Sequence, residues 1–208
     1  MKTYKIPEAT IVRLSVYSRY LHQLLEQSVN TISSEELAKG VGAGSAQVRK
    51  DLAYFGEFGI RGVGYKVEEL YIQLIKILGL NRQWNIIIIG AGKLGSALAL
   101  YKGFTNRGFI VKAVLDIDPH TIGNRLGDVV VEPLELLPEK VINEIINIGV
   151  ITVPAIVAQD ITNQLLKAGV KTILNFSPQT LNVPNDVILR NVDLSVNLEV
   201  LSFLMSSK

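Results

Sequence analysis

The sequence predicts an α/β protein in which an N-terminal winged helix-turn-helix domain precedes a Rossmann-like parallel-sheet domain and a C-terminal helix. Three observations predict this fold. Helical patterns separated by glycine-rich turns come first, apolar strands then alternate with helices, and a GxGxxG turn follows the first of those strands. We expect a DNA-binding domain at residues 1–80, a Rossmann domain at 84–195 and a C-terminal helix within residues 196–208.

The composition limits the class of protein. The chain has 208 residues, of which 48% are hydrophobic, so a buried core is easily supplied. Because cysteine is absent, disulfides, thiolate catalysis and Cys-ligated zinc are excluded, and any redox sensing must use a bound cofactor. No apolar run approaches the roughly 20 residues that span a bilayer, and the N-terminus shows no apolar signal region. We therefore expect a soluble cytoplasmic protein without a membrane partner.

The N-terminal elements follow from local signals. Apolar residues recur at helical spacing over residues 8–28, and the Ser33–Glu36 segment has the pattern of a capping box that opens a short helix to about Lys39. We expect Ser45 to cap the next helix, which would run to about Phe55. A hairpin-like stretch punctuated by glycines and a helix over residues 67–78 come next. This order is typical of a winged helix-turn-helix.

The helix that begins at Ser45 and the glycine-rich stretch after it are the candidate DNA-binding segment. Glutamine and arginine read base edges, lysine and tyrosine suit phosphates, and an arginine on a glycine-rich wing can enter a narrow minor groove. The predicted DNA-binding residues are Ser45, Gln47, Arg49, Lys50, Tyr54, Arg61 and Gly62. Asp51 is expected to orient a neighbouring Arg or Lys rather than to contact DNA. The alternative is an ordinary solvated helix face with a glycine loop.

Strands and helices alternate in the second part of the chain. The predicted strands are residues 84–89, 110–115, 128–131, 149–153, 171–175 and 187–194. The predicted helices are residues 93–106, 133–146, 155–168 and 196–206.

The glycines of the GxGxxG turn predict a dinucleotide site. Gly90 would let the chain turn out of a four-isoleucine strand, Gly92 would let the backbone approach a pyrophosphate, and Gly95 would let the helix pack on the strand. A second strand ends in Asp116, about 20 residues farther on, where a ribose-binding acid is expected. The carboxylates of Asp116 and Asp118 favour NAD(H) over NADP(H), because they repel a 2′-phosphate. The alternative is a tight glycine turn in an unrelated α/β fold.

Two further strand ends would lie at the same edge of the sheet, where ligands of such folds bind. Thr152-Val153-Pro154 and Asn175-Phe176 are therefore candidate walls for the nicotinamide, with simple core packing as the alternative for Phe176. The predicted cofactor-binding residues are Gly90, Ala91, Gly92, Lys93, Leu94, Gly95, Asp116, Ile117, Thr152, Val153, Pro154, Asn175 and Phe176. We expect no metal site.

Catalytic groups are scarce in this sequence. Hydride transfer usually needs a placed acid or base, yet the two histidines, His22 and His120, are expected to be surface residues. No tyrosine is followed four residues later by lysine, and there is no HExxH motif or serine nucleophile elbow. We therefore expect a sensor and not an enzyme, with no catalytic residues.

Several strings of residues carry a resemblance to a known family. They are Gln47-Val48-Arg49-Lys50-Asp51-Leu52-Ala53-Tyr54-Phe55-Gly56, Arg61-Gly62-Val63-Gly64-Tyr65, Ile77-Leu78-Gly79-Leu80, Gly90 to Leu98, Asp116-Ile117-Asp118-Pro119 and Asn175-Phe176-Ser177-Pro178. With these strings in this order, essentially the whole chain resembles the Rex family of redox-sensing transcriptional repressors. The resemblance implies a repressor that binds operator DNA when apo or bound to NAD+ and is released by NADH.

The resemblance also implies a quaternary structure and a switch. It implies a homodimer whose subunits exchange their C-terminal helices, and two-fold symmetry then predicts a pseudo-palindromic double-stranded operator. Tyr101 and Asp193 match a Tyr and an Asp that pair between subunits, and Arg19 matches an Arg that competes for that Asp. Leu194 stands where some members carry a phenylalanine that enters the partner's nicotinamide pocket, so an apolar wall is kept but ring stacking is lost.

Two alternatives remain open from the sequence alone. The chain could be an NAD-dependent oxidoreductase with a helical N-terminal appendage. It could also be a helix-turn-helix regulator whose α/β domain senses another nucleotide, such as coenzyme A, with adenosine still on the Gly90–Gly95 turn.

Overall fold

The structure, a computed structural model, describes residues 6–56, 58–59 and 63–207. The chain divides into two compact units, and the division falls between Arg82 and Gln83. Among the described residues, no helix is long and apolar enough to cross a membrane.

The N-terminal unit is mostly helical. Its elements are α1 (Glu8–Glu26), β1 (Thr31–Ile32), α2 (Ser34–Val41), α3 (Ser45–Ala53), β2 (Tyr65–Lys66) and α4 (Val67–Ile77). The short strands β1 and β2 pair antiparallel, with Ile32 opposite Tyr65. One apolar core joins the four helices, and its fully buried large side chains are Leu14, Tyr17, Leu21, Leu37, Leu70 and Leu74.

The capping box at the start of α2 is confirmed. The Ser33 hydroxyl accepts a hydrogen bond from the Glu36 N–H at 3.1 Å, and the Glu36 carboxylate accepts one from the Ser33 N–H at 2.8 Å. The expected cap at Ser45 is wrong. Gly44 takes the extended N-cap conformation and Ser45 is already the first helical residue, so α3 begins one residue earlier than expected and ends at Ala53 instead of Phe55.

The second short strand has a partner that the sequence did not reveal. β2 follows the glycine-rich stretch, for which the sequence predicted a local hairpin. It pairs with β1, which lies before α2 in the chain. This long-range pairing was not predicted. Arg61 and Gly62, the predicted wing tip, lie outside the described residues. The wing itself therefore stays a prediction.

The C-terminal unit is built on a seven-stranded sheet. The strands are β3 (Trp84–Ile89), β4 (Phe109–Asp116), β5 (Arg125–Leu126), β6 (Val129–Pro133), β7 (Ile148–Ile151), β8 (Thr172–Asn175) and β9 (Ile188–Asn191). Their order across the sheet is β5-β6-β4-β3-β7-β8-β9, and all neighbours are parallel except the edge pair β5 and β6. The order reverses on either side of β3, and such switch points are where open α/β sheets bind ligands.

The helices of this unit confirm the predicted alternation but not every boundary. They are α5 (Lys93–Ala99), α6 (Lys102–Thr105), α7 (Leu137–Asn143) after a 3₁₀ turn, α8 (Ala155–Lys167) and α9 (Ser195–Ser206). The predicted helix 93–106 is broken, because Tyr101 takes an extended conformation as the N-cap of α6. The predicted helix 133–146 ends at Asn143, because the Asn85 amide binds the carbonyls of Glu144 and Ile145 and holds them against β3.

The apolar run of β3 is explained by burial on both faces. Ile87 and Ile89 pack into a core with α7 and α8, whereas Ile86 and Ile88 pack into a second core on the other face. Alternate side chains of a strand point to opposite faces, so a central parallel strand has no polar side.

The last helix, α9, has 12 residues, and none of them is buried. Large apolar side chains of α9 are exposed all along its length. They are Val196, Leu198, Val200, Leu201, Phe203, Leu204 and Met205, each at least 50% exposed.

Candidate functional sites

The GxGxxG turn is tightly packed against the helix that follows it. Gly90 has a φ of +101°, a conformation that favours glycine, and a Cβ on Gly95 would lie 1.8 Å from the Gly90 carbonyl oxygen. A Cβ on Gly92 would meet nothing within 4 Å. Gly90 therefore makes the turn, Gly95 allows close contact between helix and strand, and Gly92 faces open space.

Thr152, at the end of β7, closes the turn from the other side. Its hydroxyl lies 2.8 Å from the Gly90 carbonyl oxygen and 3.0 Å from that of Ile89. The ends of β3 and β7 are thereby held together at the switch point of the sheet.

Asp116, at the end of β4, has its carboxylate directed at backbone N–H groups. One oxygen accepts bonds from Ile117 at 2.7 Å and Asp118 at 2.9 Å, and the other accepts a bond from Ala91 in the glycine turn at 2.5 Å. A carboxylate offers about four lone-pair positions. Three are used here, so one remains for a hydroxyl donor, which is what a ribose supplies.

A cavity of about 370 Å³ joins these strand ends. Its volume lies within the range of roughly 300–1,000 Å³ that is usual for ligand pockets. Seven predicted residues line it: Gly90, Gly92, Asp116, Ile117, Thr152, Val153 and Pro154. The predicted residues Ala91, Lys93, Leu94, Gly95, Asn175 and Phe176 do not line it.

Other lining residues escaped the sequence analysis. They are Ile89, Leu134, Val157, Asp160, Ile161 and Gln164. Four of these lie on α8, where spacings of three and four residues from Pro154 place them on the helix face toward the cavity. Helical spacing counted from the strand end would have found them.

The side chain of Asn175 makes its hydrogen bonds within and beside its own loop. It is fully buried, and its amide nitrogen donates to the Ser177 and Gln179 carbonyls and to the Asn191 side chain, while its oxygen accepts from the Ser177 N–H. Asn175 therefore shapes the loop after β8. The Ser177 hydroxyl beside it is buried and has no hydrogen-bond partner within the described part of the chain.

A buried carboxylate connects α3 to α1 in the N-terminal unit. Asp51, on α3, is fully buried and accepts two bonds from the Arg13 guanidinium, at 2.6 and 2.7 Å, and one from the Tyr17 hydroxyl at 2.8 Å. Thr10 donates at 3.2 Å and Gln47 at 2.8 Å. We call these five residues the Asp51 cluster. As expected, Asp51 pairs with an arginine, and the partner is Arg13 of α1.

The charges in this cluster stabilise one another. Burial alone would raise the pKa of Asp51, but hydrogen bonds from Arg13, Tyr17 and Gln47 outweigh it and hold that pKa below its ordinary value. Burial and the bond to Asp51 raise the pKa of Tyr17 to about 12. The bond to Asp51 also raises the pKa of Arg13. The carboxylate is therefore ionised, and the phenol neutral, across the physiological range.

Of the other predicted DNA-binding residues that the structure describes, Tyr54 is the C-cap of α3 and the rest lie on α3. Arg49 is exposed and donates to the Ser34 hydroxyl at the start of α2, at 2.8 Å. Lys50 and Tyr54 are exposed, and Ser45 is half-buried at the helix start. These positions form a partly cationic helix surface.

The residues that match the family switch are on the surface of their units. Arg19 on α1 is exposed, Tyr101 is 57% exposed with its ring edge against Phe104, and Leu194 is 62% exposed. Hydrogen bonds from the hydroxyl and N–H of Ser195 lower the pKa of Asp193, which keeps that carboxylate charged.

A metal site is not indicated. Within the described residues no group of three His, Asp or Glu side chains could hold a metal ion. His22 lies 3.7 Å from Glu26 on the same face of α1, as a surface histidine would.

Two family models match the chain. Residues 5–53 match one described as "Putative DNA-binding protein N-terminus", and residues 81–179 match one described as "CoA binding domain". The first match falls in the N-terminal unit, and all but the first two residues of the second fall in the C-terminal unit.

Curated relatives match the chain over nearly its full length. A "Redox-sensing transcriptional repressor Rex" of Syntrophomonas wolfei subsp. wolfei is 68% identical over 99% of this chain and 98% of its own. A protein of the same name from Carboxydothermus hydrogenoformans is 58% identical over 98% of each chain. Both are named repressors rather than enzymes, which agrees with the expectation of a sensor.

Solved structures also match the chain over nearly its full length. The crystal structure of RSP in complex with β-NAD+ and operator DNA is 44% identical, covers 99% of this chain and 94% of its own, and superimposes with a TM-score of 0.92. RSP in complex with β-NADH is 42% identical, covers 99% and 96%, and gives a TM-score of 0.88. With this agreement in sequence and fold, the chain belongs to the Rex family of redox-sensing transcriptional repressors.

Proposed function

We propose that this chain represses transcription by binding operator DNA through its N-terminal unit when it is apo or carries NAD+, and that NADH releases it. The observation that carries the proposal is the cavity at the switch point of the sheet, in which Asp116 keeps one acceptor position for a ribose hydroxyl. The relatives are named for redox sensing. RSP has been crystallised with NAD+ and operator DNA and, separately, with NADH.

The donor set of the cavity fits NAD(H). Asp116 would bind the adenosine ribose, and the open space at Gly92 would admit the pyrophosphate. Thr152-Val153-Pro154 share this cavity with Asp116, so we assign them to the adenosine half of the cofactor instead of the nicotinamide walls first expected. A 2′-phosphate would be repelled by Asp116 and Asp118, which favours NAD(H) over NADP(H).

The basis for sensing is charge. The nicotinamide ring is neutral when reduced and positively charged when oxidised. An apolar surface at the ring disfavours burial of the charged form, because an unpaired buried charge is costly. Leu194 would supply such a surface from a partner subunit, and the switch can be no larger than the difference in affinity between the two redox forms.

We propose that α9 forms the dimer by exchange between two copies of the chain. A helix with no buried residue and seven large exposed apolar side chains needs a partner surface. A second copy would supply it, as the family resemblance implies, and Tyr101, Asp193 and Arg19 would then be switch residues between subunits. A two-fold dimer predicts a pseudo-palindromic operator.

DNA contact is assigned to α3 and the glycine-rich segment after it. Arg49 and Lys50 are exposed on α3, and Tyr54 is exposed at its C-cap. Gln47 and Ser45 are near the N-terminal end of α3, where base-reading residues usually lie. Arg61 and Gly62 complete the proposed contact at the minor groove. A repressor that binds chromosomal DNA would act in the cytoplasm of its cell.

A coenzyme A sensor is the second candidate, because the matched family model carries that description. Adenosine would bind the same cavity. The ribose of coenzyme A carries a phosphate, however, and that phosphate would meet the Asp116 and Asp118 carboxylates.

The experiment is binding of the full-length chain to labelled genomic DNA fragments at fixed salt, with no ligand, NAD+, NADH or coenzyme A. We expect selective fragment binding that NADH abolishes and NAD+ preserves. Release by coenzyme A alone would support the second candidate. The absence of selective binding in every state would overturn the repressor function.

A further inference from the structure

One carboxylate on the wall of the cavity at the switch point has no partner among the described residues. Asp160 lies on α8 and lines the cavity with Val157, Ile161 and Gln164, at spacings of three and four residues that place all four on one helix face. The Asp160 carboxylate makes no hydrogen bond or ion pair with any described residue. Asp116, by contrast, is bound by three backbone N–H groups. The acceptor positions of Asp160 are therefore available to a ligand.

The charge of the cavity limits what can lie beside Asp160. An exposed aspartate is ionised at neutral pH, and no lysine, arginine or histidine is found among the described residues that line the cavity. A phosphate next to Asp160 would be repelled. An ionised carboxylate can only accept hydrogen bonds. The group that fits is therefore a neutral donor, either N–H or O–H.

The part of the cofactor that fits this wall is the purine base. The proposed function places the adenosine ribose on Asp116 and the pyrophosphate at Gly92, and most of the remaining lining is apolar. These apolar residues are Ile89, Ile117, Leu134, Val153, Pro154, Val157 and Ile161. Ligand pockets commonly combine apolar walls with a few polar groups that fix orientation. A flat base against the apolar walls would direct its polar edge to the carboxylate on α8.

We propose, on the basis of the proposed NAD(H) binding, that Asp160 accepts a hydrogen bond from the 6-amino group of adenine and thereby selects this base. Adenine carries a donor at this position, whereas guanine carries an oxygen that only accepts. Hypoxanthine carries the same oxygen. Gln164, one turn farther along α8, cannot make this choice alone, because an amide can turn either its oxygen or its NH2 group to the base.

The test compares NADH with its reduced hypoxanthine analogue, in which an oxygen replaces the 6-amino group and N1 carries the proton. Both compounds have the same nicotinamide ring, so nicotinamide fluorescence reports both affinities. The titrations use the full-length wild type, Asp160→Asn, Gln164→Ala and Glu135→Gln. Asp160→Asn keeps the shape of the side chain and adds an NH2 group that can donate to the 6-oxygen.

Glu135→Gln is the matched control for the loss of one negative charge. Glu135 directly follows Leu134, which lines the cavity, but Glu135 itself is exposed and does not line it. A general electrostatic effect on the cofactor would appear in both acidic variants and would change the two affinities by the same factor.

We expect the wild type to bind NADH about tenfold more tightly than the hypoxanthine analogue. This ratio should fall toward one in Asp160→Asn and persist in Gln164→Ala and Glu135→Gln. Thermal unfolding should be unchanged in Asp160→Asn, because the carboxylate that it replaces binds no described residue.

Three results would overturn the proposal. They are a wild-type ratio near one, a ratio in Asp160→Asn equal to that of the wild type, and a ratio that Glu135→Gln abolishes as well. The first result needs no variant, so it decides the matter even if Asp160→Asn does not fold. Failure of NADH to bind the wild type would instead contradict the proposed function.

Discussion

Two aspartates show how the same side chain serves two purposes in this chain. Asp51 is fully buried, and four side chains donate five hydrogen bonds to it. Asp116 is only partly buried, is bound by three backbone N–H groups, and lines a cavity with one acceptor position left. The difference teaches that a carboxylate bonded by many side chains ties helices together, whereas one bonded by three backbone N–H groups keeps an acceptor position open.

The strongest test of this contrast removes the guanidinium from the Asp51 cluster. Arg13→Ala leaves a buried carboxylate without its charge partner, so we expect the free energy of unfolding of the N-terminal unit to fall by about 3 kcal/mol. Urea unfolding followed by circular dichroism measures the loss, and NADH titration should give an unchanged affinity. Unaltered stability would show that the cluster does not hold α1 against α3.

On the Asp116 side, the glycine turn offers a matched pair of substitutions. Gly95→Ala forces a Cβ against the Gly90 carbonyl, so we expect the C-terminal unit to lose about 2 kcal/mol of stability. Gly92→Ala meets open space, so stability should be kept while NADH affinity falls, because the ligand would occupy that space. Thermal unfolding and NADH titration separate the two effects. Equal losses of stability in both variants would contradict this division of roles.

The Tyr17 hydroxyl gives the Asp51 cluster a signature in alkaline solution. Its pKa is raised from 10.0 to about 12 in the folded chain, so the folded state holds the phenolic proton more tightly than the unfolded state. The resulting stability is fully present below pH 10 and is lost as the pH rises through about 12, by about 2–3 kcal/mol.

Tyr17→Phe should lack this decline. The free energy of unfolding is measured by denaturant titration at about five pH values between pH 8 and pH 12. Other tyrosines and the lysines titrate in both proteins, so the difference between the two curves of free energy against pH isolates Tyr17. Parallel curves would mean that the Tyr17–Asp51 bond contributes no pH-dependent stability.

The smallest effect is expected at Asp116. Asp116→Asn replaces one acceptor oxygen by a donor, so we expect NADH affinity to fall about tenfold and the C-terminal unit to lose about 1 kcal/mol of stability, because at least one backbone N–H group loses its acceptor. The preference for NADH over NADPH should shrink as well, because one negative charge near the 2′ position is removed. Fluorescence titration with both cofactors measures the ratio, and an unchanged ratio would remove Asp116 from the ribose site.

Much of the site could be predicted because its signals are local. The isoleucines of β3, the glycines at 90, 92 and 95, and the strand end at Asp116 all lie within short windows whose spacing is set by backbone geometry. The capping box at Ser33 and Glu36 is equally local and was confirmed. The exposed apolar helix α9 was located correctly because its pattern is continuous.

The features that escaped prediction depend on contacts between distant residues. The β1–β2 ladder joins two-residue strands separated by two helices, and no periodicity marks a strand so short. The end of α7 is decided by Asn85, about 60 residues earlier, through its bonds to two carbonyls. The convergence of Thr10, Arg13 and Tyr17 on Asp51 likewise requires the tertiary fold. Local patterns therefore predict elements, while side-chain partners determine where those elements end and which groups remain free.

The most direct test of the account is to titrate NADH into a preformed complex of the full-length chain with its selected operator at fixed salt, and to measure the released DNA by fluorescence anisotropy. We expect NADH to release the operator from the wild type, NAD+ to leave it bound, and Asp116→Asn to need about tenfold more NADH for the same release. Operator binding that ignores NADH in the wild type would contradict redox sensing by this cavity.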